Sequence, residues 1–152
     1  MNPEFQSYVE QVPGLYAELM RSAAFMEKGV RDQEKKSGIY VFFEEGKAVH
    51  VGRTRNLRQR LRSHHTFSHN AASFAFKRAR RELGVVTTYK PEGSRADLMR
   101  RDDFATEFRR QIDRVRQMEA RFLEIKDPIL QYLVELYAHL ELRLPLDEFD
   151  TH

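Results

Sequence analysis

The sequence predicts an α/β domain: a small three-stranded sheet, mixed or antiparallel, flanked by helices, with an extra N-terminal helix and a helical insertion. Three observations predict it. Residues 38–43 and 48–52 are short alternating runs around β-branched and aromatic side chains, separated by a Gly46 turn. Residues 120–125 read as a third strand late in the chain. Around these runs, apolar residues recur at helical spacing. A length of 152 residues, 41% hydrophobic and 11% aromatic, fits one folded domain with one core over residues 1–152.

Residues 3–30 form the N-terminal helical segment, broken at Pro13-Gly14, with Leu15, Leu19, Ala23 and Met26 on one face. The first two strands are joined by Glu44-Glu45-Gly46, a three-residue hairpin loop with Gly46 in the left-handed position. That loop pairs Tyr40 with His50 and puts both rings on one face. A helix follows over about 56–64 with Asn56 as its N-cap. With Leu57 at zero on a helical wheel, Arg60, Leu61 and His64 fall within about 60 degrees of it. Arg58 and Arg62 fall to one side and face out. An arginine on the protein-facing side needs an anionic partner, which singles out Arg60.

His69–Leu83 reads as a helix closed by Gly84, Val85–Tyr89 as a weak strand, and Pro91-Glu92-Gly93 as a turn. Ser94 and Asp97 suggest a capping box for a charged helix over 97–118, striped by Phe104, Phe108, Ile112 and Val115. This helix belongs to the insertion, residues 90–118. Asp127-Pro128 opens the last helix, which runs to about Leu144 before Pro145. Its main apolar stripe is Leu130, Leu133, Tyr137 and Leu140, and Glu135 points away from that stripe.

The net charge is only +3, but its distribution is uneven. Residues 53–62 carry Arg53, Arg55, Arg58, Arg60 and Arg62 without an acid, and residues 77–81 add Lys77, Arg78, Arg80 and Arg81. The acids gather from Glu119 to Asp150. A polyanion on one face is the partner this pattern suggests. The chain has no cysteine, which excludes disulfides and thiolate metal sites. No apolar run reaches transmembrane length and the N-terminus lacks a secretory pattern, so a cytoplasmic protein is expected.

Gly38-Ile39-Tyr40, Val51-Gly52 after a short hairpin, and Arg60 in the next helix resemble the GIY-YIG nuclease family. The resemblance spans about residues 37–65 and extends to 120–149; it does not reach the insertion. It implies an endonuclease that hydrolyses DNA phosphodiester bonds with one divalent metal ion, Mg²⁺ or Mn²⁺. Tyr40 then activates the attacking water, Arg60 holds the scissile phosphate, and His64 relays a proton or binds that phosphate. Glu135 matches the metal ligand, with Glu141 and Glu124 as rivals. His50 stands where the second motif has a tyrosine, and Asp147 where an asparagine is usual; both are departures from the family pattern. Arg53, Arg55, Arg58, Arg62, Lys77 and Arg81 would contact the nucleic-acid backbone without reading sequence.

Other readings of the same residues remain open at this point. RNA stands beside DNA as a substrate. The chain could be a non-catalytic nucleic-acid-binding module on a degenerate nuclease scaffold. It could also be a partner protein that forms a homodimer through the 97–118 helix. His64, His65 and His69 could form a metal cluster. Phe67, Phe74 and Phe76 suit a core better than a base-stacking platform.

Overall fold

The computed structural model describes residues 1–26, 29 and 35–146. Asp147 lies outside the described residues, as does part of the expected 3–30 helix. The order is α1 (Pro3–Arg21), β1 (Gly38–Glu44), β2 (Lys47–Thr54), α2 (Leu57–His64), α3 (Ser73–Leu83), α4 (Arg95–Met99), α5 (Asp102–Arg116), β3 (Glu119–Glu124) and α6 (Pro128–Glu141). The strands form one antiparallel sheet in the order β2-β1-β3, the fold class expected from the sequence. Among the described residues no helix is long and apolar enough to cross a membrane. The chain divides into two compact units, Met1–Gln59 with Met118–His152, and Arg60–Gln117.

In the first unit, Ile39, Val41 and Val51 of the sheet pack with Val12 and Leu19 of α1 and Val134 and Ala138 of α6. Each such Val, Leu or Ile side chain, fully buried, contributes about 1.5–3 kcal/mol. This packing corrects the expected break at Pro13-Gly14. Helix α1 runs straight through Pro13, which is exposed, while Val12 and Leu19 are buried. Burial of that face offsets the roughly 3 kcal/mol that an interior proline costs. The helix stops at Arg21, where the Ser22 N–H and hydroxyl both donate to the Leu19 carbonyl at 3.2 and 2.7 Å. Ala23 and Met26 lie beyond it. Phe25 and Ala120 exchange backbone hydrogen bonds of 2.9 and 2.7 Å as an isolated bridge on the outer side of β3.

The hairpin register differs from expectation in two ways that nearly cancel. Glu44 pairs with Lys47, so the loop is two residues, Glu45-Gly46, with φ of 52° and 79°. Two positive φ values are the mark of a type I′ turn. The ladder then slips between Phe42 and Phe43: Phe43 pairs with Ala48, but Phe42 pairs with His50. Val49 is the extra residue of this β-bulge. The two-residue loop alone would turn His50 to the face opposite Tyr40; the bulge turns it back. Tyr40 therefore pairs with Gly52, not His50, and its ring still shares a face with that of His50.

Local caps form where the sequence suggests them. Asn56 Oδ1 accepts from Gln59 N at 3.1 Å, and Asp127 Oδ1 accepts from Ile129 N at 2.8 Å. Helix α6 ends at Glu141, earlier than expected, because Arg143 takes φ of 53° and Leu144 N donates back to the His139 carbonyl at 2.9 Å.

In the second unit, Phe76 of α3 packs against Phe104 and Phe108 of α5, with ring centroids 4.9 and 5.6 Å apart. Helix α3 begins at Ser73, since residues 68–72 are spent on turns closed by Ser68. Gly84 ends it in the left-handed conformation at φ of 65°. Val85–Tyr89 is not a strand. Thr88 N donates to the Gly93 carbonyl at 2.9 Å, folding the segment into its own turn and leaving Val86 and Tyr89 exposed. Ser94 caps α4 through Asp97 N at 3.2 Å. The single helix expected over 97–118 is two helices: Arg100 closes α4 with its N–H, and Asp102 starts α5. Phe104, Phe108, Ile112 and Val115 are buried, as their spacing predicts.

Candidate active site

Tyr40 is fully buried and His50 is 8% exposed. Their rings, with that of Phe42, form a cluster on one face of the sheet. Tyr40 and His50 are 5.8 Å apart between centroids, and His50 stacks on Phe42 at 5.7 Å with an interplanar angle of 28°. Gly52 makes this arrangement possible. A Cβ at residue 52 would overlap the hydroxyl and ring of Tyr40. The glycine of the second motif is thus a seat for the tyrosine of the first.

Glu135 belongs to the same unit and is fully buried. Helix α6 buries Gln131, Val134, Glu135, Ala138 and His139, whereas Leu130, Leu133 and Tyr137 are half-buried and Leu140 is 58% exposed. The expected leucine stripe is therefore not the most buried face. The side that carries Glu135 is. Gln131, Glu135 and His139 recur at four-residue spacing along it, a signal legible in the sequence as a polar line in an apolar helix. Glu124 and Glu141, the rival ligands, are both exposed.

A buried carboxylate is costly without a counter-charge. Arg53 supplies it. Arg53 pairs with Ile39 across the ladder, so it emerges on the face that α1 and α6 cover, opposite to that of Tyr40. Its Nε lies 2.9 Å from Glu135 Oε2. Its guanidinium also lies 3.8 Å from the centroid of the Tyr132 ring. Arg53 was expected only as a backbone contact for nucleic acid; the face it takes could have been read from its parity with Ile39, but not its partner on α6. Within this unit the site residues therefore form two groups, Tyr40 with His50, and Glu135 with Arg53.

Helix α2 carries the remaining candidates. Leu57, Leu61 and His64 are buried, as the wheel predicts. Arg60 is half-buried, and so is Arg58, which was expected to face out; Arg62, Arg55 and Arg81 are exposed and Lys77 is half-buried. His64 meets Phe74 edge-on at 6.4 Å, and His69 tilts against Phe76 at the same distance. The His65 carbonyl accepts from Arg116 at 2.9 Å. The three histidines are thus engaged separately. Phe74 and Phe76 are buried, while Phe67, 41% exposed, is covered by the Arg109 guanidinium at 4.0 Å.

Among the described residues no three His, Asp or Glu side chains group to hold an ion. A carboxylate such as Glu135 is the kind of oxygen donor that a hard divalent ion takes, and Arg53 Nε already lies beside it.

Residues 36–101 match the family model described as the GIY-YIG catalytic domain. The matched stretch holds Tyr40, His50, Arg60 and His64; Glu135 lies beyond it. No curated protein and no solved structure matches the chain significantly.

Proposed function

We propose, from the match of residues 36–101 to the GIY-YIG catalytic-domain model, that this chain is a DNA endonuclease working with one divalent metal ion, Mg²⁺ or Mn²⁺. The observation that carries the reading is the Tyr40–His50 pair, two hydrogen-bonding rings 5.8 Å apart on one sheet face.

The reaction is hydrolysis. A water oxygen bonds to phosphorus, the bond from phosphorus to one ester oxygen breaks, and the proton of the water passes to a base. We assign the proton to His50, since an imidazole is a base better matched to neutral pH than a phenol, and Tyr40 orients the same water. The family resemblance assigns Arg60 to a phosphate, whose developing charge a guanidinium would offset. It assigns His64, one turn later, to relaying a proton or binding that phosphate. Glu135, which with Arg53 lies on the sheet face opposite to Tyr40 and His50, would hold the ion, and a bound ion would supply charge stabilisation and a more acidic water. Arg55, Arg58, Arg62, Lys77 and Arg81 contact backbone phosphates, so binding weakens steeply with salt.

Supercoiled plasmid with Mg²⁺ or Mn²⁺ tests this. The wild type nicks it, while Arg60→Ala and Glu135→Gln each lose about 100-fold or more in rate. Equal rates in all three proteins would assign the activity to a contaminant. DNA binding with no cleavage in either metal would make the chain a binding module.

A further inference from the structure

The Arg53–Glu135 pair raises a question that the proposed activity does not answer. The carboxylate assigned to the ion already has a cation beside it, 2.9 Å away. A divalent ion and a guanidinium repel each other, so they cannot share one carboxylate without cost. Arg53 also has a second contact besides Glu135. Its guanidinium lies over Tyr132, and its side chain is 17% exposed against 0% for Glu135. It sits at the border between the buried carboxylate and a half-exposed ring, Tyr132 being 49% exposed. A guanidinium binds phosphate in the same forked geometry as carboxylate, so a backbone phosphate is a competing partner of matching chemistry.

We infer that Arg53 is a latch on Glu135: it blocks the ion until a nucleic-acid phosphate draws its guanidinium away. The inference rests on Glu135 being the metal ligand, as proposed above. It makes ion binding and nucleic-acid binding mutually reinforcing, and the coupling is reciprocal by linkage. The free protein then holds the ion weakly, and the complete site assembles only on substrate. Arg53 is a positioning residue in this scheme. Tyr132 is the surface that holds the latch closed.

The test reads Mn²⁺ affinity from the electron paramagnetic resonance signal of the free ion, so it does not depend on cleavage. Wild type, Arg53→Gln, Tyr132→Ala and Glu135→Gln are titrated alone and with an excess of phosphorothioate DNA duplex, against a duplex-only blank. Wild type should bind Mn²⁺ about tenfold more tightly with duplex present, within the usual range of coupling. Arg53→Gln should bind about tenfold more tightly without duplex and gain less than twofold from it. Tyr132→Ala should move the same way by a smaller factor. Because Arg53→Gln leaves a buried carboxylate with a weaker partner, its folding is checked by circular dichroism; if it does not fold, Tyr132→Ala decides. Variants that bind Mn²⁺ no more tightly than wild type overturn the latch while leaving Glu135 as ligand, provided Glu135→Gln has lost binding. If Glu135→Gln binds as wild type does, the latch and the assignment of Glu135 fall together.

Discussion

Gly52 faces Tyr40 across the β1–β2 ladder, and the phenol ring lies where a side chain at residue 52 would begin. The tyrosine is fully buried, so it has no solvent into which to retreat. Gly52→Ala should therefore destabilise the fold by about 1–3 kcal/mol, the usual penalty for overpacking. It should also lower the nicking rate more than Ala substitution at exposed Arg62. Urea unfolding and the plasmid assay on both variants measure the two effects.

His50 stacks on Phe42 and neighbours Tyr40, so its ring has a packing role and a proposed chemical one. His50→Phe separates them. It keeps a flat ring in the stack, and stability should change by less than about 1.5 kcal/mol. If His50 takes the proton of water, the nicking rate falls by about 100-fold or more. Unchanged activity in a folded His50→Phe protein would return the task to Tyr40.

Glu45 has φ of 52° in the hairpin turn, a conformation that suits asparagine or glycine. Glu45→Asn should stabilise the protein by about 0.5–1 kcal/mol, since the turn then reads Asn-Gly. Thermal unfolding should report this as a rise of a few degrees.

How far the sequence reveals such details depends on how local their cause is. Asn56, Asp127 and Gly84 were legible because a cap involves a few consecutive residues. Pro13 was misread because the force that carries α1 through it comes from α6, far along the chain. The hairpin was half legible: the same-face relation of Tyr40 and His50 was expected from a three-residue loop that does not form, and it survives because a shorter turn and a bulge, neither visible in composition, offset each other. Helix α6 misled because periodicity counts only apolar residues, and this helix buries Gln131, Glu135 and His139 more deeply than Leu130, Leu133, Tyr137 and Leu140. Arg53 was read with its arginine neighbours, although its strand parity sets it apart.

A polar network in the second unit gives a pH-dependent prediction. Arg78 Nε donates to Gln111 Oε1 at 2.8 Å, and Gln111 Nε2 donates to Glu107 Oε1 at 2.7 Å. Burial pushes the Glu107 carboxyl up, but the Gln111 hydrogen bond and the ion pair with Arg110 outweigh it and hold the pKa below the ordinary carboxylate value. A lowered folded-state pKa adds stability that is present above the unfolded value and is lost as pH falls through the folded one. Glu107→Gln should therefore cost about 1 kcal/mol at pH 7 and progressively less below about pH 4. Denaturant midpoints at the two pH values check it; a gap independent of pH would mean the charge contributes nothing.

The ion pair inside the first unit also has a consequence for engineering. Replacing a buried pair by apolar residues of similar volume is often neutral or stabilising by about 1–4 kcal/mol. The double variant Arg53→Leu, Glu135→Met should then melt no lower than the natural protein while cutting no DNA. Selection for heat resistance alone would drift toward such a chain. The same helix position thus sets durability against usefulness, and a library screened only for expression would be expected to discard the chemistry first.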